Sequence, residues 1–239
     1  MNLTALKGKV FEFQNSTFRF LLRTRFPIEQ RPKVEFVGNG YSGYWFPTEW
    51  LKLRGTIWGV GLGEDSSFEC ELQEKGYRLY GFEPEKKCFE ASQAQFAGKQ
   101  VFFFNYGLWD KSGRFKFTGE NISIVNIFDL DAFSEEELQI YSLWDIAKEL
   151  SLESLPQPRI LKMNIEGAER EILLRFCEEP LSFEVIIFQA EFLFHVGFRE
   201  VRRKIRAFKE LSLILSKLLD QKWNITSINR NQITVSRGF

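Results

Sequence analysis

From residue 56 onward, short apolar runs alternate with longer segments whose apolar residues recur on one helical face. Residues 56–60, 77–82, 101–104, 160–165 and 183–190 are apolar and β-prone, and each predicts a strand. The last is the most apolar, as expected of a strand buried on both faces. Phe68 and Leu72 share one helical face, and Gly76 suits the end of that helix. Residues 85–97 place Phe89 and Phe96 on one face before Gly98, and a further helix covers 168–177 after Gly167. Residues 199–222 carry Val201, Ile205, Phe208, Leu211, Leu215 and Leu218 at helical spacing. Residues 223–236 read as strand, Asn-Arg-Asn turn, strand. Lys111-Ser112-Gly113 is a turn signal before the alternating 114–117 and predicts a small hairpin. Ser142-x-x-Asp145 is similar to a capping box and opens a helix to about residue 150, stopped by Pro156 and Pro158. Strands alternating with helices predict an α/β, doubly wound parallel sheet over residues 55–239. Residues 1–54 hold nine basic and four acidic residues and are interrupted by Pro27, Pro32 and Pro47. They read as an irregular arm or cap laid on that domain.

Charge narrows the partners. The 239 residues carry 32 basic and 32 acidic side chains, so formal net charge is zero. That argues against a general nucleic-acid binder, which needs a basic excess to neutralise phosphates. No apolar run is long enough to predict a transmembrane helix, and the N-terminus lacks the apolar block of a signal peptide. Cys70, Cys88 and Cys177 are odd in number and far apart, so neither a disulfide framework nor a zinc knuckle is expected, and a reducing cytoplasm fits. With one histidine, His195, no metal site built on several imidazoles is expected.

In a doubly wound sheet, ligands bind at the carboxyl ends of strands. After the first strand comes Gly59-Val60-Gly61-Leu62-Gly63-Glu64-Asp65, where glycines permit a sharp turn and close approach of a ligand. The dinucleotide pattern G-x-G-x-x-G fails in both frames, because Glu64 or Ser66 falls where the third glycine belongs. Glu64 and Asp65 would complete the helix dipole themselves and repel a pyrophosphate, which favours a cationic cofactor without phosphates, such as S-adenosylmethionine. They could equally be plain helix caps. Glu83 lies 22 residues beyond Gly61, where an acid can hold ribose hydroxyls. Asn105, Gly107 and Leu108 follow the third strand. Lys162, Asn164, Glu166 and Glu169 cluster at the fourth. Gln189, Glu191 and His195 follow the fifth, where His195 is either a structural histidine or a general base.

Three blocks, GVGLGEDSSFECELQEKGYRLYGFEPEKK, GLWDKSGRFKF and SLWDIAKEL…RILKMNIEGAEREIL, together resemble the FkbM-like S-adenosylmethionine-dependent methyltransferases. GYSGYWFPTEWL is similar to a segment that precedes the glycine loop in one branch, and the likeness spans about residues 39–195. The resemblance implies a class I methyltransferase (Rossmann-like) sheet, mostly parallel with an antiparallel C-terminal strand. It also implies methyl transfer to a hydroxyl of a sugar or small metabolite. It assigns Gly59, Gly61, Gly63, Asp65, Glu83, Gly107, Leu108 and Asn164 to the cofactor. His195 becomes the general base, with Glu191 orienting it or binding the acceptor and Glu166 as second base; no metal is expected. Two positions depart from the pattern: Gly59 stands where an acid is usual, and Asn164 replaces an aspartate. Both leave open a catalytically silent binding or scaffold protein on the same fold.

Overall fold

The computed structural model of the protein describes residues 3–28, 32–40, 42–99, 101–116, 137–152, 158–194 and 200–237. The described residues among the first 54 are largely regular rather than irregular. They form helix α1 (Leu3–Arg25), strands β1 (Val34–Val37) and β2 (Tyr44–Pro47), and the single-turn helix α2 (Thr48–Leu51). Asn15, Phe18, Leu22 and then Phe26 turn inward at helical spacing; Asn15 Nδ2 donates to the Phe194 carbonyl at 3.2 Å, and the Phe18 ring lies 5.3 Å from Phe208. Phe13 and Phe20 instead face outward, so the apolar residues of α1 form no single stripe. The three prolines all lie outside α1, and β1 and β2 pair antiparallel.

The core strands are β3 (Thr56–Val60), β4 (Arg78–Phe82), β5 (Val101–Phe104), β9 (Ile160–Met163), β10 (Val185–Gln189), β11 (Asn224–Asn229) and β12 (Gln232–Ser236). Their order across the sheet is β11-β12-β10-β9-β3-β4-β5. Neighbours from β5 to β10 are parallel, and β12 runs antiparallel to both β10 and β11. This is the mostly parallel, Rossmann-like class I sheet with an antiparallel C-terminal strand. The order reverses at β3, whose neighbours are β4 on one side and β9 on the other, so the switch point lies between β3 and β9.

Successive side chains alternate between two cores, as the strand period of two requires. Trp58, Val60, Tyr80, Phe82, Leu161, Met163, Ile186 and Phe188 pack beneath helices α6 (Glu169–Phe176) and α8 (Val201–Asp220). Ile57, Leu79, Ile160, Val185 and Ile187 pack on the opposite face with Phe68 and Leu72 of α3 (Ser67–Glu74). Val37, Tyr44, Phe46 and Trp50 join that second core, so the N-terminal hairpin contributes to it. Helix α3 ends as its sequence predicts: Gly76 has φ 94°, its N–H donates to the Gln73 carbonyl, and the Tyr77 N–H donates to Leu72. Helix α4 (Lys86–Gln95) links β4 to β5.

The expected local hairpin does not form. Strands β6 (Gly107–Trp109) and β7 (Gly113–Lys116) do not pair with each other; β8 (Glu137–Ser142) lies between them, parallel to β6 and antiparallel to β7. Helix α5 (Leu143–Leu152) starts where the capping box is expected, but the box is not local either. The Ser142 N–H donates to Ser112 Oγ at 2.8 Å, and that hydroxyl donates to Asp145 at 2.9 Å. Pro156 lies outside the described residues. No helix among the described residues is long and apolar enough to cross a membrane, and the three cysteines are free thiols.

Candidate functional site

The chain leaves β3 into residues 61–66. Gly61 and Gly63 both adopt left-handed φ, 71° and 64°, for different reasons. A Cβ on Gly61 would sit 2.0 Å from the Asn164 carbonyl oxygen, so the loop closes directly on the exit of β9. A Cβ on Gly63 would meet nothing within 4 Å, so Gly63 borders open space. Leu62 folds back so that its side chain covers Gly59 and Gly81. Gly59 lies within β3, its missing side chain filled by Leu62 and Glu69 rather than opened to a ligand.

Glu83 is buried and turned toward this loop. Its Oε2 accepts from the Leu62 and Gly63 N–H groups, both at 2.9 Å, and its Oε1 accepts from Glu85 N–H at 3.0 Å. Burial raises its carboxyl above the ordinary value, against the pull of those three donors. Three donors fill three of its roughly four acceptor positions. The first task of Glu83 is therefore to hold the loop, which amends the reading of it as a ribose ligand alone.

Asp65 caps the start of α3, whereas Glu64 does not. Glu64 pairs with Lys87 at the surface. Asp65 accepts from Ser67 N–H at 3.0 Å and from Asn39 Nδ2 at 2.5 Å. Their negative charge at the start of α3 still opposes a pyrophosphate.

Across the switch point, β9 exits into residues 164–168. The Asn164 N–H donates to the Val60 carbonyl at 2.9 Å, and its buried Oδ1 has no hydrogen-bond partner among the described residues. Glu166 stands in the left-handed region (φ 55°), uncommon for a residue with a Cβ and frequent at functional sites. Glu169, fully buried, knits this turn by accepting from Ile165 N–H at 2.9 Å and Gly167 N–H at 2.8 Å. Burial holds its carboxyl well above the ordinary value; the N–H groups of Ile165 and Glu169 pull it down, and the charges of Glu191 and Glu166 push it up.

Glu191 opens the short helix α7 (Glu191–Phe194) at the end of β10 and is buried; its Oε1 accepts from Asn231 Nδ2 at 3.0 Å. The same amide donates to Gln189, whose Nε2 donates to the Tyr44 hydroxyl at 3.0 Å. Burial lifts that hydroxyl to about 12. His195 lies outside the described residues. Among the described residues no group of three His, Cys, Asp or Glu side chains is placed to hold a metal ion.

Two further residues expected at the cofactor are enclosed by packing. Leu108 belongs to the core under β6, its side chain 1 % exposed, and a Cβ on Gly107 would lie 2.5 Å from Ile140. The half-buried Tyr106 just before them packs at tilted angles against Phe82 and Phe104 and edge-on against Tyr141. The sequence also gave no role to Lys162, which lies in β9 with its ammonium 2.9 Å from both Glu69 Oε1 and the Gly61 carbonyl oxygen. The signal was a lysine inside an otherwise apolar strand, a residue type seldom buried unless paired.

No family model and no curated protein matches the chain. Solved structures resemble it at low identity. The ribosomal protein L11 methylase from Lactobacillus delbrueckii subsp. bulgaricus is 13% identical, with a TM-score of 0.38 over 95% of this chain and 80% of that one. Magnesium protoporphyrin IX methyltransferase from Synechocystis PCC 6803, with bound SAM, is 13% identical, with a TM-score of 0.34 over 100% and 85%. A fibrillarin/Nop5p complex is 12% identical, with a TM-score of 0.39 over 79% and 74%.

Proposed function

We propose that the protein is an S-adenosylmethionine-dependent methyltransferase acting on a hydroxyl of a sugar or small metabolite. The observation that carries this reading is the glycine loop at the switch point: Gly63 borders open space, and acids rather than a third glycine begin the following helix. A phosphate-free, cationic cofactor fits that loop better than a dinucleotide does. The residues that would hold it are Gly61 and Gly63 through their backbone, Glu83 through its remaining acceptor position, and Asn164 through its unanswered Oδ1. When bound, the cofactor supplies a methyl group already activated by its sulfonium.

The chain's own work is then to orient an acceptor and take its proton. Holding the reacting atoms in line is worth several kcal/mol. Glu166, carried out of the β9 exit in a strained backbone, and Glu191 at the β10 exit are acids for that side. His195 follows Glu191 by four residues and suits a base working near neutral pH; Glu166 is the second choice. A catalytically silent module is the competing reading, favoured by Asn164, which cannot act as a base, and by a Glu83 already committed to the loop. Labelled S-adenosylmethionine incubated with the protein and a metabolite pool decides between them. A labelled methyl ether supports the enzyme, whereas cofactor binding without any labelled product supports the silent module.

A further inference from the structure

Gly59 has no side chain, and the structure fills the space beside it from another element. Gly59, in β3, is the register partner of Gly81 on one side and of Lys162 on the other. These three positions form a shallow trough on the sheet face beneath α3. Glu69 of α3 reaches down into it: a Cβ on Gly59 would lie 3.1 Å from both Glu69 Cγ and Oε1. The same Oε1 is 2.9 Å from Lys162 Nζ, and Lys162 Nζ donates to the Gly61 carbonyl at 2.9 Å. Lys162 and Glu69 are 2 % and 1 % exposed. Burial works against the lysine's charge, but the Glu69 carboxylate and the Tyr44 hydroxyl beside it outweigh burial and hold the ammonium above its ordinary value. The Tyr44 ring lies 5.5 Å from the ammonium and closes the trough from the N-terminal hairpin.

A buried ion pair of this kind adds little net stability, because desolvation offsets its attraction, and apolar replacement of both partners is often neutral. Its location says what it does. Gly61 is the residue at which β3 turns over the Asn164 carbonyl, and the next two N–H groups are those that Glu83 holds. The loop is therefore held at the Gly61 carbonyl by Lys162 and at the Leu62 and Gly63 N–H groups by Glu83.

We propose that Lys162 and Glu69 form a positioning pair that packs into the space Gly59 leaves free and fixes the glycine loop through the Gly61 carbonyl. The inference rests on the cofactor reading above for its effect on binding, but not for its effect on the loop. The experiment compares the native protein with Lys162→Met/Glu69→Leu and with Glu69→Gln. It reads amide hydrogen exchange of Leu62 and Gly63 without ligand, and titration with S-adenosylhomocysteine. The double variant should unfold cooperatively, and its Leu62 and Gly63 amides should lose protection by about tenfold or more, the scale of one hydrogen bond to a charged group. Amides of β10 should keep theirs, and affinity for the probe should fall by a similar factor. Glu69→Gln should show the same loop-limited change to a smaller extent. Unchanged loop protection, or equal loss in the loop and in β10, overturns the proposal. So does failure of both variants to fold, since the pair would then be a structural part of the core. If the native protein takes up no probe, the cofactor reading fails, and the exchange measurement still decides the role of the pair.

Discussion

The two turns at the switch point answer their polar groups to different degrees. In the loop after β3, Glu83 takes the Leu62 and Gly63 N–H groups and Lys162, reaching over from β9, takes the Gly61 carbonyl and pairs with Glu69, whose Oε2 alone is buried without a partner among the described residues. In the turn after β9, Glu169 takes the Ile165 and Gly167 N–H groups, but Asn164 Oδ1 has no hydrogen bond among the described residues and Glu166 stands in a left-handed conformation. A loop satisfied in this way is shaped before anything binds, which lowers the cost of binding. An unanswered oxygen and a strained acid are features that a ligand completes. On the function proposed above, the contrast would separate a preformed cofactor side from a side that the acceptor finishes.

The largest expected effect breaks the acceptor side alone. His195→Ala should lower methyl transfer by about 10²–10⁴-fold, the usual worth of a general base, while cofactor affinity barely moves. Single-turnover transfer measured against pH checks this. The native rate should rise through a group near the ordinary imidazole value, because the neutral form accepts the proton. Near-native turnover in the variant would move the base to Glu166.

Next come the two loop glycines, which should respond unequally. Gly61→Ala combines a left-handed backbone with a collision against the Asn164 carbonyl and should cost about 2–5 kcal/mol. Gly63→Ala meets open space and should cost only about 1–2 kcal/mol, the left-handed penalty. Its new methyl group should nevertheless weaken cofactor binding. Urea denaturation and calorimetric titration of both variants test the pair. Equal stability losses would mean that the loop does not close on β9 as described.

Glu83→Ala should cost about 1.5–3 kcal/mol of stability as well as cofactor affinity, since the carboxylate holds three N–H donors. A loss of affinity at unchanged stability would return Glu83 to a purely ligand-binding role.

The sheet itself was legible because its central strands β3, β9 and β10 are short apolar runs buried on both faces, the edge strand β5 is still apolar, and the intervening helices carry one apolar face. Helix α1 was not, because Phe13 and Phe20 face outward while the polar Asn15 turns inward, which blurs the stripe. Strand β8 was missed because its partners, β6 and β7, lie more than 20 residues earlier, and no local pattern announces a pairing at that distance. At the site, the positions of Gly61, Gly63 and Glu83 followed from spacing. Spacing could not say which way a carboxylate points, so Glu83 read as facing a ribose, Leu108 read as a wall of the site, and Lys162 had no role.

The smallest effect concerns Glu169, whose folded carboxyl is raised well above its unfolded value, chiefly by burial. Its contribution to stability is therefore fully present below the unfolded value and is lost as pH rises through the folded one. Relative to Glu169→Gln, the native protein should gain stability on acidification from neutral pH. Urea midpoints across a pH series read this, and a difference that is constant or of opposite sign contradicts the buried, charge-crowded setting.

The central claim, a preformed loop for a phosphate-free cationic cofactor, is tested most directly by calorimetric titration of the native protein with S-adenosylmethionine and, separately, with NAD. The account predicts saturable one-site binding of S-adenosylmethionine and no heat of binding with NAD. Saturable NAD binding, or no binding of S-adenosylmethionine by the folded protein, would contradict it.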